Sequence, residues 1–208
     1  PTPVAGFLST ASKAAGFAVL LRLFFVAFSG FAVSWTAVLA VLAAITMTVG
    51  NLLALPQTNI KRLLAFSSVA HAGYAMIGVI AFTPLGAASV VFYLAAYIAT
   101  NLLAFGIVMA FSKVTGLEDV KDYSGMSRRA PWLGLMMLAA FLSLTGMPPF
   151  GGFVAKVFVF AAGVQAGYVW LVIVGILNSI IGVYYYLNVL KYIYLYRMPN
   201  QDEENHPI

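Results

Sequence analysis

The sequence contains no cysteine, which excludes a disulfide framework, a cysteine-ligated cluster and a thiol nucleophile. Histidine is nearly absent too. His71 stands alone in apolar sequence and His206 lies in the tail, so no metal site is expected. No flavin or dinucleotide motif and no haem-ligating pair occurs, so no redox chemistry is expected within this chain. Charged residues make up only 8% of the sequence. Acidic ones number 6, and none of them falls inside an apolar run. Such a composition excludes an ordinary soluble domain. The net charge of +5 does not point to nucleic acid, because the basic residues flank apolar runs instead of forming a patch. There is no initiator methionine and no signal peptide. Pro1-Thr-Pro leads straight into apolar sequence, as expected of a piece of a longer protein. No internal repeat is visible.

What is present is apolar sequence: 62% hydrophobic residues and a mean hydropathy of +0.97. An all-α membrane protein is expected, with six crossings at about residues 4–28, 33–55, 63–82, 87–111, 132–164 and 168–194. Very short connections at 29–32, 83–86 and 165–167 lie on one side. Segments 56–62, 112–131 and the tail from Leu195 lie on the other. Lys61, Arg62, Lys113, Lys121, Arg128, Arg129, Lys191 and Arg197 all fall on that second side, against Arg22 on the first. The positive-inside rule then places both ends on the cytoplasmic side, or the matrix or stromal side of an organelle. Tyr184, Tyr185, Tyr186, Tyr192, Tyr194 and Tyr196 crowd the end of the last span, where an aromatic belt is expected. Residues 201–205 read as a solvated, mobile acidic tail, and residues 126–131 as a solvated loop leading into the fifth span.

The run 132–164 is longer than the roughly 20 residues that cross hydrocarbon. Near its middle stand Gly146, Pro148, Pro149, Gly151 and Gly152, a cluster that cannot continue an α-helix. A discontinuous helix is therefore expected, packed within a bundle so that protein or water satisfies the freed backbone. Lys156 follows the break, roughly 14 Å from the far end at about 1.5 Å per residue, too deep for its stem to reach water. The structural alternative is a Pro-kinked helix whose lysine meets a carbonyl or an internal water.

Lys13 lies at a similar depth in the first span, with Ser9 one turn before it and Ser12 beside it; the alternative there is an interhelical lysine held by carbonyls. Arg22 is near a span end and snorkels. His71 in the third span shares a helix face with Ser67, Ser68 and Tyr74. Imidazole can accept a proton on one nitrogen and release one from the other; the structural alternative is a histidine satisfied across helices. Tyr93, Tyr97, Thr100 and Asn101 form a polar stripe on the fourth span, and Asn178, Ser179 and Tyr185 mark the sixth. Neutral polar groups hold transmembrane helices together; facing two lysines and a histidine, they line a candidate water path. Burial disfavours an ammonium and a nearby carboxylate favours it. Two lysines coupled through water repel, so protonating one favours deprotonating the other. The counter-ion must come from outside these residues.

Several stretches resemble a known family. Residues 1–22, with Lys13, resemble the eighth helix of the antiporter-like subunits of respiratory complex I. Gly50-Asn-Leu-Leu-Ala-Leu-Pro-Gln-Thr-Asn-Ile-Lys-Arg through His71 and Tyr74 resembles the loop and tenth helix. Ser143-Leu-Thr-Gly-Met-Pro-Pro with Gly152-Phe-Val-Ala-Lys resembles the broken twelfth. Tyr184-Tyr-Tyr-Leu-Asn-Val is similar to the thirteenth. The subunit N (subunit 2) branch is the most similar, because Lys156 stands where the M branch has glutamate. A long lateral C-terminal helix, which the L branch would carry, is not found in the sequence.

The resemblance implies a second five-helix repeat at residues 33–194, preceded at 1–30 by the last helix of the first repeat and followed by a polar tail at 195–208. It implies proton transfer through Lys13, His71 and Lys156, with Ser9, Ser67, Tyr74, Tyr97 and Thr100 lining the water path. Thr100 stands where some sister subunits have histidine. It further implies that this chain binds no cofactor, and that NADH, FMN, iron–sulfur clusters and quinone belong to other subunits. The chain would then work as a non-redox membrane subunit, not a free monomer, coupling quinone reduction elsewhere to proton movement. The alternatives are a subunit of a multi-subunit cation/proton antiporter or membrane-bound hydrogenase, and a purely structural membrane subunit.

Overall fold

A computed structural model describes residues 2–196. Among them the fold is all-helical: α1 Thr2–Arg22, α2 Ala32–Ala54, α3 Ile60–Ile80, α4 Pro84–Thr115, the single turn α5 Met126–Arg129, α6 Pro131–Thr145, α7 Gly151–Gln165 and α8 Val169–Tyr194. Five helical stretches are long and apolar enough to cross a membrane: Pro3–Ala27, Trp35–Ala54, Ile60–Ile80, Pro84–Thr115 and Val169–Tyr194. They correspond to five of the expected crossings. The expected fifth crossing is divided between α6 and α7, each 15 residues long, about 22 Å at 1.5 Å per residue. Neither alone spans hydrocarbon. Arg197, the acidic 201–205 and His206 lie outside the described residues.

Local chemistry explains most helix ends. Asn59 caps α3, its side chain accepting from the Lys61 and Arg62 amides, and Thr83 caps α4 by accepting from Gly86 N. Pro84 sits in the first turn of α4, where its missing N–H costs nothing. Residues 84–86 are therefore helical, and not connection as the sequence suggested. Gly116, at φ 73°, ends α4 in the left-handed conformation, so that its last residue, Thr115, lies four residues beyond the expected Phe111. The expected connection 29–32 is a 3-10 turn at Ser29–Phe31 that runs directly into α2. Segment 126–131 is not a solvated loop: α5 is anchored by fully buried Met126, and Gly125 N donates to Tyr192 O at 3.2 Å.

Helix α3 is the hub, packed against α1, α2, α4, α7 and α8. Small residues allow the closest approach. A Cβ on Gly50 would lie 2.6 Å from Ala70 N, and one on Gly73 would lie 2.5 Å from the Met47 side chain, so α2 and α3 meet backbone to backbone. On the basic side, the segment after α4 is clasped to the start of α3. Ile60 N donates to Glu118 O at 3.1 Å and Val120 N to Thr58 O at 2.7 Å, and Lys61 pairs with Glu118. Lys61 and Arg62 would oppose the positive end of α3; the Glu118 carboxylate offsets Lys61.

Candidate functional site

Between Thr145 and Gly151 the chain is non-helical. Gly146 has φ 82°, Met147 N donates to Leu142 O at 3.0 Å and Phe150 N to Met147 O at 3.1 Å, and the Pro148–Pro149 peptide is cis. Gly151 and Gly152 open α7 instead of lying in the break. A Cβ on Gly152 would collide with the Ser143 carbonyl, so glycine lets α7 start against the last turn of α6. Ser143 Oγ accepts from Gly152 N at 3.3 Å, satisfying one of the amides that a helix start leaves open.

Lys156 is buried and donates to Thr145 O at 2.8 Å. That carbonyl belongs to the last turn of α6, where intrahelical partners run out and the helix dipole is negative. The stem passes over Gly146, where a Cβ would lie 2.8 Å from Lys156 Cδ. The break thus supplies both the acceptor and the room for the lysine.

His71 stands on the buried face of α3. Its Nδ1 is 2.7 Å from Tyr93 Oη on α4. Aromatic rings connect it to both lysines. The Tyr74 ring lies edge-on to the imidazole at 5.7 Å and 5.0 Å from Lys156 Nζ. The Tyr97 ring lies 5.0 Å from the imidazole and 5.8 Å from Lys13 Nζ. The order Lys13–Tyr97–His71–Tyr74–Lys156 therefore runs continuously across α1, α4, α3 and α7. Lys13 is only half-buried and donates to the Ser68 carbonyl on α3. It does not turn to Ser9 on its own helix, as the sequence suggested: Ser9 Oγ donates to Gly6 O at 2.9 Å and accepts from Asn101 Nδ2 at 2.8 Å.

A small cavity lies at the centre, lined by His71, Tyr97, Thr100, Ser143, Gly152 and Lys156 among others. It leaves about 10 Å³ for the centre of a water, about the least that one molecule needs, and far too little for a quinone. Thr100 Oγ1 donates to Ala96 O at 2.7 Å and is 3.1 Å from Ser143 Oγ. Ser67 lies to one side, accepting from Tyr186 Oη at 2.8 Å. Of the expected lining, Tyr97 and Thr100 border this cavity, Tyr74 bridges Lys156 and His71, and Ser9 and Ser67 belong to neighbouring hydrogen-bonded groups.

No carboxylate occurs in α1–α4 or α6–α8, and among the described residues no metal-binding cluster of histidine and acidic side chains occurs. The carbonyl contacts of both lysines are those a structural lysine makes. What goes beyond them is a histidine placed between the two cations with room for water beside it. Sequence reasoning passed over Ser143 and Asn51. The usable signal for each was a lone polar residue in an apolar helix, a turn from the helix break or a turn from the next connection.

Residues 1–182 match the family described as NADH:quinone oxidoreductase/Mrp antiporter, TM. The chain is 48% identical over 199 residues to NADH-quinone oxidoreductase subunit N of Moorella thermoacetica, covering 96% of this chain and 42% of that protein. It superposes on a chain of respiratory complex I from Thermus thermophilus with bound aureothin at TM-score 0.74 and 37% identity, covering 94% of this chain and 42% of that one. On a chain of the Mrp complex from Dietzia sp. DQ12-45-1b the TM-score is 0.82 at 27% identity, with 94% and 39% covered. The chain thus spans less than half the length of the proteins it matches.

Proposed function

Because the chain belongs to the NADH:quinone oxidoreductase/Mrp antiporter transmembrane family, we propose that it is the C-terminal part of a proton-translocating membrane subunit of an NADH–quinone oxidoreductase. The observation that carries this reading is the unbroken order Lys13–Tyr97–His71–Tyr74–Lys156 with a water-sized cavity beside its centre. In this account Lys13 and Lys156 hold exchangeable protons. His71 passes a proton between them by taking it on one ring nitrogen and giving it from the other. Water at Thr100 and Ser143 completes the path, and Coulomb repulsion makes the two lysines respond to one another.

Helices α6 and α7 together form the fifth of six crossings, a discontinuous helix with Lys156 just after its break. Residues 33–194 make one five-helix unit, with residues 1–30 as the last helix of a preceding one. In this reading the basic flanks with Lys61, Lys121 and Arg128 face the cytoplasm, or the matrix or stroma of an organelle, and so do both ends of this fragment; the positive-inside rule supports that orientation. The redox cofactors and quinone sit in other subunits, whose charge movements drive the lysines, and the counter-ion comes from outside these residues.

An Mrp-type cation/proton antiporter subunit is the second reading. One observation favours it: the backbone follows the Mrp chain more closely than the complex I chain. Identity to the oxidoreductase relatives is much higher, however, and side chains carry the chemistry. Tagging the full-length protein in its source cells and purifying it in mild detergent tests the choice. NADH-dependent quinone reduction should co-purify with the tag; cation/proton exchange without any such activity would overturn the proposal.

A further inference from the structure

A second buried polar group, apart from the residues that line the cavity, meets the Tyr74 hydroxyl. Asn51 Nδ2 on α2 has three acceptors within reach of its two hydrogens: Met47 O at 2.9 Å, Tyr74 Oη at 3.0 Å and, more distantly, Asn178 Oδ1 at 3.3 Å. The Asn51 Oδ1 accepts from Tyr185 Oη at 3.0 Å. Asn178 on α8 donates to Thr48 Oγ1 at 3.1 Å and to Val174 O at 3.0 Å. Asn51, Tyr74, Asn178 and Tyr185 are all buried, Asn51 at 1% exposure. Met47 O can only accept, so the amide orientation is fixed: Nδ2 faces Met47 O and Tyr74, and Oδ1 is left to accept from Tyr185.

We infer that Asn51 is a positioning residue, whose bond to the Tyr74 hydroxyl holds the phenol ring between Lys156 and His71. This rests on the proton-transfer reading above and deepens it. The ring is amphipathic. The ring itself meets the cation and the imidazole, while its hydroxyl is held by the amide. A ring pinned at the far end by a well-bonded amide cannot swing away from Lys156 when the cation's surroundings change. The amide does not titrate, so Asn51 sets geometry and passes no proton. Through Asn178 and Tyr185 the same contact ties the ring to α8, and a shift of α8 against α2 would be felt at Lys156.

The competing explanation is interhelical glue alone, in which Asn51 joins α2 to α8 and the Tyr74 hydroxyl is incidental. The complete assembled enzyme in sealed vesicles separates the two, using Asn51→Leu, Tyr74→Phe, the double variant and Lys156→Met. The readouts are proton translocation against pH and thermal stability. The groups able to shape the profile are Lys156 from α7, His71 beside Tyr74, Tyr93 and Tyr97 from α4, Lys13 from α1, and Tyr185 and Tyr186 from α8. Asn51→Leu and Tyr74→Phe should each lower translocation about three- to tenfold, the scale of one hydrogen bond. Both should displace the pH profile in the same direction, and the double variant should be no worse than the poorer single one. A wild-type profile for Tyr74→Phe, or losses that multiply in the double variant, overturns the inference, and Tyr74→Phe decides alone if Asn51→Leu does not assemble. If Lys156→Met is silent, the proton-transfer reading fails and this inference with it. If Lys156→Met abolishes translocation while Tyr74→Phe is silent, only this inference falls.

Discussion

The ammonium of Lys156, on α7, donates to the carbonyl of Thr145, the last residue of α6, at 2.8 Å. The two ends of the break are thereby joined by a cation resting on a carbonyl that no helix can satisfy. Any movement that lengthens or closes the break changes the solvation of that charge. Such a coupling between helix geometry and a proton-bearing group is what the proposed activity requires.

Gly146→Ala should disturb the site from both directions. The residue adopts φ 82°, which costs an L side chain about 1–2 kcal/mol, and its Cβ would meet the Lys156 stem. A loss of stability on that scale is expected in thermal unfolding of the assembled enzyme. Proton translocation should fall further than that loss explains, because Lys156 must move.

Ser143→Ala removes the hydroxyl that faces Thr100 Oγ1 and accepts from Gly152 N. The expected structural cost is about 1 kcal/mol. The coupled rate should drop, and a solvent isotope effect on translocation should change, since this hydroxyl borders the water-sized cavity. Ser67→Ala, away from that cavity, should leave the isotope effect alone.

His71→Phe keeps an aromatic ring packed against Tyr97 and Tyr74 while removing both ring nitrogens. Assembly should persist, and proton translocation should fall at least tenfold, within the usual range for a positioned acid–base group. An unimpaired variant would place the path elsewhere.

The clasp on the basic side should be acid-sensitive. The Glu118 carboxyl is held below its ordinary value of 4.5, first because Lys61 donates to it and next because Asn59 does. A carboxyl depressed by folding contributes stability that is fully present above its unfolded value and lost as pH falls through its folded one. Protection of the amides in segment 116–125, measured against their intrinsic exchange at each pH, should therefore fall below about pH 4.5. Glu118→Gln should remove that acid-dependent step.

Much of this arrangement is legible in the sequence. Apolar run length gave the five long apolar helices, and the Gly146, Pro148, Pro149 cluster marked the interruption between α6 and α7, because both depend on local backbone chemistry. The positions of Lys13, His71 and Lys156 were visible as polar residues deep in apolar runs. Their partners were not. That Lys13 turns to the Ser68 carbonyl and not to Ser9 depends on how α1 crosses α3, and no periodicity within one helix encodes a crossing. Asn51 was visible only as a polar residue in an apolar run; its partners were hidden for the same reason, because they lie on α3 and α8, far away in sequence. The buried anchor at Met126 likewise follows from tertiary packing, which overrides the polar, turn-like composition of its segment.

The most direct test of the central claim is Lys156→Met in the complete enzyme, which keeps the stem and removes the charge. NADH-driven quinone reduction and vesicle acidification should be followed together, after native electrophoresis has verified assembly. A proton-transfer role predicts that both rates fall together while assembly is intact. Wild-type rates for both would contradict it and leave the broken helix as a structural feature.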